Sequence, residues 1–142
     1  MTGQSVNISE LKARAKLACA QAYAPYSQFR VGAVVSDEQG RVFAGCNVEN
    51  ASYGLTQCAE RNAIASAVVA GAGELFIILI YTPGEQIHAP CGACRQVIGE
   101  MLRPDGEIVS CCDSEAYEHW GKADLLPHPF EKSVLVDDSN KD

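Results

Sequence analysis

"LFIILIYT", residues 75–82, carries no charge and shows no alternation of polar and apolar side chains. A strand with one wet face alternates, so an unbroken apolar run bounded by "GAGE" and "PGE" predicts a strand covered on both faces, in the middle of a sheet flanked by helices. The segments around it fit that reading. Upstream, "FRVGAVVSD" places Phe29, Val31, Ala33 and Val35 on one side at period two, "DEQG" turns, and "RVFAGC" returns as a second strand. Before this hairpin, Ser9 is the expected N-cap of a helix with Leu11, Ala15, Ala18 and Ala22 on one face, ending at the Pro25-Tyr26 punctuation. Between hairpin and central strand, residues 57–70 read as an alanine-rich helix closed by Gly71 and Gly73. Downstream, a helix starts near Pro90 with Val97, Ile98, Met101 and Leu102 as its buried stripe, and "EIVSCC" is a further strand. This alternation predicts a three-layer α/β/α sandwich with a mixed sheet of about five strands. Residues 1–136 are expected to form its single domain, with 137–142 as a polar tail.

At 142 residues, 47% hydrophobic and 20% charged, the chain is long enough to bury a core without disulfides. A formal charge of −7 excludes a protein built to hold a nucleic acid polymer, which needs a Lys/Arg surface. "MTGQSVNISELKARAKL" lacks the uncharged apolar run of a secretory signal, and no stretch of about 18 apolar residues is present to span a membrane. A cytoplasmic location is the expectation. In that reducing setting the seven cysteines are thiols or metal ligands, and Cys19, Cys46, Cys111 and Cys112, inside apolar segments, read as small buried hydrophobes.

The other three cysteines stand apart from packing. Cys91 and Cys94 in "PCGAC" are three apart at a helix N-terminus, where exposed N–H groups favour thiolate. A lone CxxC is equally half of a structural zinc site, a redox pair or a chance pair of thiols, and His88, His119 and His128 are scattered singly. Cys58 is the natural third ligand, because it too opens a helix on the same sheet. Three ligands would leave a zinc ion one open position for water, whose pKa it lowers toward about 7. Glu60, two residues past Cys58, is placed to take and pass on that water's proton; the alternative is a first-turn glutamate facing solvent.

The order CxE and then PCxxC resembles the zinc deaminase signature, in which HxE also occurs in the first position. With "YSQFRVGA" from Tyr26, "NVENASYGLTQCAERNA", "PCGACRQV" and "LLPHPF" ending at Phe130, the chain resembles the small homotetrameric cytidine deaminases over nearly its whole length. The resemblance implies one Zn²⁺ per subunit on Cys58, Cys91 and Cys94, and Glu60 as proton carrier. It implies hydrolysis of cytidine and 2′-deoxycytidine to uridine and 2′-deoxyuridine plus ammonia, in pyrimidine salvage. Asn47 and Glu49 match residues that hydrogen-bond the ribose 3′-hydroxyl, with Val48 between them. Phe29 matches an aromatic packed on the substrate, and Ala59 a backbone N–H that meets the pyrimidine O2. Tyr53 and Phe130 match aromatics supplied across subunit interfaces to shared active sites. Three thiolates on Zn²⁺ carry a net −1, and Arg61 beside them can drain that charge. Two rivals are a deaminase of a modified cytosine nucleoside such as blasticidin S, and a non-catalytic zinc or nucleoside-binding protein. "NVEN" disfavours the first and Glu60 the second.

Overall fold

The computed structural model describes residues 7–136. Five strands, β1 (Gly32–Asp37), β2 (Val42–Cys46), β3 (Leu75–Tyr81), β4 (Leu102–Cys111) and β5 (Tyr117–Trp120), form one sheet in the order β2-β1-β3-β4-β5. The hydrophobic run is thus the middle strand. It pairs antiparallel with β1 and parallel with β4, and Leu75, Ile77, Ile78, Leu79 and Ile80 are all buried. Each such side chain contributes roughly 1.5–3 kcal/mol relative to exposure, so β3 anchors both layers.

Among the described residues four α-helices complete the fold: α1 (Ile8–Ala20), α2 (Ala59–Val69), α3 (Gly92–Met101) and the short α4 (Lys122–Leu125). Alternate residues of the central strands face opposite layers. Val34, Ile77, Leu79 and Val109 pack with Leu11, Ala15 and Cys19 of α1. Ala33, Val35, Ile78, Ile80 and Ile108 pack with α2 and α3. The expected three-layer α/β/α sandwich with a mixed five-stranded sheet is the observed one.

Several local expectations change. The N-cap of α1 is Asn7 rather than Ser9, because the Asn7 Oδ1 accepts the Glu10 N–H at 3.1 Å. The helix ends at Ala20, before the Pro25 punctuation, and Cys19 and Ala22 are buried where Ala18 is only half-buried. β1 begins at Gly32, so Phe29 lies in the preceding loop; the strand itself is buried on both faces, because Val34 meets the α1 layer and Ala33 and Val35 meet the α2–α3 layer. Leu102 starts β4 instead of closing the α3 stripe. Cys46 is half-buried, unlike Cys19, Cys111 and Cys112. The fifth strand, "YEHW", has half-exposed and exposed side chains and offers no apolar run to betray it. Residues 137–142 lie outside the described residues.

Two glycines set how close the helices come. A Cβ on Gly32 would lie 1.9 Å from the Ala15 carbonyl oxygen of α1, and one on Gly45 would lie 2.4 Å from the Ala63 nitrogen and 2.7 Å from the Ala59 oxygen of α2. Backbone presses on backbone at both places, so neither neighbour can rotate away. Gly45→Ala is expected to destabilise the fold by about 1–3 kcal/mol or more in urea unfolding, by forcing α2 off the sheet. Gly54→Ala, with nothing within 4 Å of the added methyl, should stay within about 0.5 kcal/mol of the parent. Equal effects at the two positions would remove the close approach as a constraint.

Candidate active site

β2, β3 and β4 run parallel to one another through the sheet, and α2 and α3 are the crossovers that join them. Each helix therefore starts at the carboxyl end of a strand, on the same face. Cys58 is the N-cap of α2 and Cys91 the N-cap of α3, both in extended conformation and neither capping its helix through the side chain. Their thiols are left free to face each other. The two sulfurs are 3.9 Å apart, and the ligand atoms of Cys58, Cys91 and Cys94 all lie within 4.8 Å of one another. A tetrahedral zinc with Zn–S bonds of about 2.3 Å spaces its sulfurs at about 3.8 Å, so these donors fit the ion in kind and in separation. Among the described residues the metal-capable cluster consists of these three cysteines. His88 instead sets its ring edge-on to Phe29, with centroids 5.2 Å apart.

Electrostatics single out one thiol. The hydrogen bond from Cys94, with help from Arg61, brings the Cys58 thiol down to about 5. Arg61 Nη2 donates to the Cys58 sulfur at 3.2 Å. Cys94 shifts the other way, raised by its bond to Cys58 and by its burial. Arg61 Nε is buried without a partner, so the bond from Nη2 to Cys58 is what ties the guanidinium to this cluster.

Glu60, in the first turn of α2, is 5% exposed and not on the solvent face. Its burial raises its carboxyl above the ordinary carboxylate range. A carboxyl so placed holds a proton at higher pH than a surface glutamate does, the property a proton carrier near neutrality requires. Ala59 beside it is fully buried at the first helical position.

The "NVE" segment is tied directly to this helix start. Val48 and Gln57 exchange two backbone hydrogen bonds of 2.9 Å, and Val48 also bridges to Tyr23. Asn47 and Glu49 are buried on either side of the half-exposed Val48. Asn47 Nδ2 donates to the Phe29 carbonyl at 2.7 Å, and its Oδ1 accepts the Val31 N–H at 2.9 Å. Glu49 accepts the N–H groups of Tyr26 and Ser27 at 2.9 and 3.1 Å, and the Ser27 hydroxyl. The Ser27 bond holds the Glu49 carboxyl below its usual range. The 26–31 loop is thereby laced to "NVE", and Phe29, Asn47, Val48 and Glu49 form one wall.

The remaining two candidates lie elsewhere on the single chain. Tyr53 is 72% exposed, edge-on to Tyr26 at 5.6 Å. Phe130 is 53% exposed, its carbonyl bonded to Gln96 Nε2 at 2.8 Å, and it lines a cavity of about 450 Å³ whose walls exclude the three cysteines. Sequence reasoning missed Ser27, Gln57 and the His88 contact. The first had a local signal, since a serine two residues before Phe29 can fold a turn onto its N–H; the others needed the tertiary fold.

Comparison with known proteins agrees with this arrangement. Residues 5–110 match the family model described as the cytidine and deoxycytidylate deaminase zinc-binding region. A cytidine deaminase of Halalkalibacterium halodurans is 45% identical over 116 residues, covering 82% of this chain and 88% of that protein. One of Sporosarcina psychrophila is 38% identical over 130 residues, covering 92% and 96%. The crystal structure of cytidine deaminase from Burkholderia pseudomallei superposes with a TM-score of 0.83 at 44% identity, covering 88% of this chain and all of that one. By sequence, by fold and by a thiol cluster able to hold zinc, the chain belongs to the cytidine and deoxycytidylate deaminase family.

Proposed function

We propose that the protein hydrolytically deaminates cytidine and 2′-deoxycytidine to uridine and 2′-deoxyuridine with release of ammonia, in pyrimidine salvage. One observation carries this reading: the buried Glu60 sits two positions from a thiol of the metal-capable trio. A structural zinc site has no use for such a group.

Cys58, Cys91 and Cys94 would hold the zinc, one ion per chain, and zinc bound there supplies an acidified water at neutral pH. Glu60 receives the proton of the attacking water and delivers it to N3 of the pyrimidine as oxygen adds at C4. A second proton passes through Glu60 to the amino group, which leaves as ammonia, so that one water is consumed per ammonia released. Arg61 offsets the charge of the thiolates through its bond to Cys58. The Ala59 N–H, at the positive end of α2, orients the ring through O2. Asn47 and Glu49 take the ribose 3′-hydroxyl, and Phe29 covers the ring. A buried carboxylate in that place disfavours a chain continuing as phosphate from the 3′ oxygen, which fits the net charge of −7.

Tyr53 and Phe130 are assigned to neighbouring pockets in a homotetramer with shared active sites. Their exposure of 72% and 53% on the single chain supports that assignment, and closed symmetry favours a D2 arrangement. No helix of the described residues is long and apolar enough to cross a membrane, and all seven cysteines are free. Both support a cytoplasmic enzyme.

The deciding assay measures ammonia release from cytidine on protein whose zinc content is known from the same sample. Release at about one zinc per chain is expected; a folded, zinc-loaded sample that releases none would overturn the proposal. Glu60→Gln should retain fold and zinc and lose about 10²–10⁴-fold in kcat, and a zinc-replete variant with near-parent rates would remove the proton-carrier role. Arg61→Ala should cost about 10–100-fold in zinc affinity or turnover, read by competition with a chromogenic chelator and by steady-state rate. Cys94→Ala is expected to hold less than one zinc per chain by metal analysis.

A further inference from the structure

The carboxylate of Glu49 is gripped before any ligand arrives. Oε1 accepts two backbone N–H groups, those of Tyr26 and Ser27, and Oε2 accepts the Ser27 hydroxyl. Ser27 Oγ in turn accepts the Phe29 N–H at 3.0 Å. A hydroxyl has one proton, and with Phe29 donating into its lone pair, that proton is directed at Glu49. The relay runs from Phe29 through Ser27 to Glu49 in one sense only.

The backbone that builds it is strained. Gln28 has φ +59°, the one positive φ outside glycine among the described residues. Such conformations persist where the surroundings over-determine them, and they cluster at ligand clamps. Here the left-handed residue turns the chain between Ser27 and Phe29, so that the hydroxyl of one can receive the N–H of the other while both N–H groups before it reach Glu49.

We infer that Ser27 is the positioning residue that sets sugar recognition, by fixing the Glu49 carboxylate in place and leaving it a single free acceptor direction. A carboxylate offers about four lone-pair positions; three are filled by the loop. The one left, on Oε2, matches one hydroxyl donor and repels an anion. This rests on the proposal that Glu49 meets the ribose 3′-hydroxyl. Without the Ser27 hydroxyl, Oε2 gains a second open position and loses its anchor, so the carboxylate can turn toward water and the preference for a 3′-hydroxyl falls. Ser27 does not touch the reacting atoms.

The test compares kcat/KM for cytidine with that for 3′-deoxycytidine, on parent, Ser27→Ala, Ser27→Thr and Glu49→Gln proteins of matched zinc content. General damage to the fold lowers both rates together and leaves their ratio alone. Ser27→Ala is expected to lower the cytidine to 3′-deoxycytidine ratio about three- to tenfold, carried by KM more than by kcat, with Ser27→Thr restoring it. If Ser27→Ala does not fold, Ser27→Cys keeps the volume with a weaker donor and should shift the ratio in the same direction. A parent-like ratio in Ser27→Ala beside a collapsed ratio in Glu49→Gln would overturn the role of Ser27 alone. A parent-like ratio in Glu49→Gln would overturn the sugar contact itself, and the inference with it.

Discussion

Two crossovers travel the same way across the sheet, and the rest of the structure depends on that. From β2 the chain passes over β1 to β3, and from β3 it passes on to β4. Right-handed connections that move in one direction must lie on one face, because a right-twisted strand feeding a helix packs back only on that side. α2 and α3 are thus neighbours with their N-termini at the same edge, packed on Ile78 and Ile80. Cys58 and Cys91 face each other as a consequence of topology. An α3 on the opposite face would put the sheet between the two thiols.

Burial at that edge is what gives the site its chemistry. A glutamate in the first turn of an exposed helix is an ordinary carboxylate stabilised by the dipole. Glu60 is 5% exposed, and desolvation raises its affinity for a proton. Beside it the half-buried Arg61 donates to the Cys58 sulfur, and that charge-assisted bond helps to hold the Cys58 thiol low. Gly45 is remote from the chemistry in kind but sets the height of α2 above the sheet, and with it the place of every group on the first turn.

The pocket wall follows a different logic, since it is built almost wholly from loops. Loops hold position only when their polar groups are satisfied. The 26–31 segment is satisfied by two side chains of "NVE", Asn47 through Phe29 and Val31, and Glu49 through Tyr26 and Ser27. The backbone pairing of Val48 with Gln57 then carries that wall to the start of α2. Asn47, Glu49 and the cysteine cluster are in this way joined through one run of backbone pairing.

The central strand, the sandwich architecture and the cysteine trio with Glu60 were legible in the sequence, because each follows from local regularities: an unbroken apolar run, a helical period, ligand-type residues at helix starts. β5 was not legible, since a half-exposed edge strand needs little hydrophobicity and is recruited by its pairing with β4. Asn7 rather than Ser9 caps α1, since either side chain suits a cap and only the bond formed tells them apart. The sequence by itself determined which residue types could hold a metal and move a proton. Their separation of a few ångströms, the burial that raises Glu60, the hydrogen bonds that lower Cys58, and the grip of Ser27 on Glu49 were decided by tertiary structure alone. Distance, dielectric and hydrogen-bond direction depend on residues 20 to 30 positions apart in the chain, such as Ser27 and Glu49 at 22, and local sequence carries no record of them.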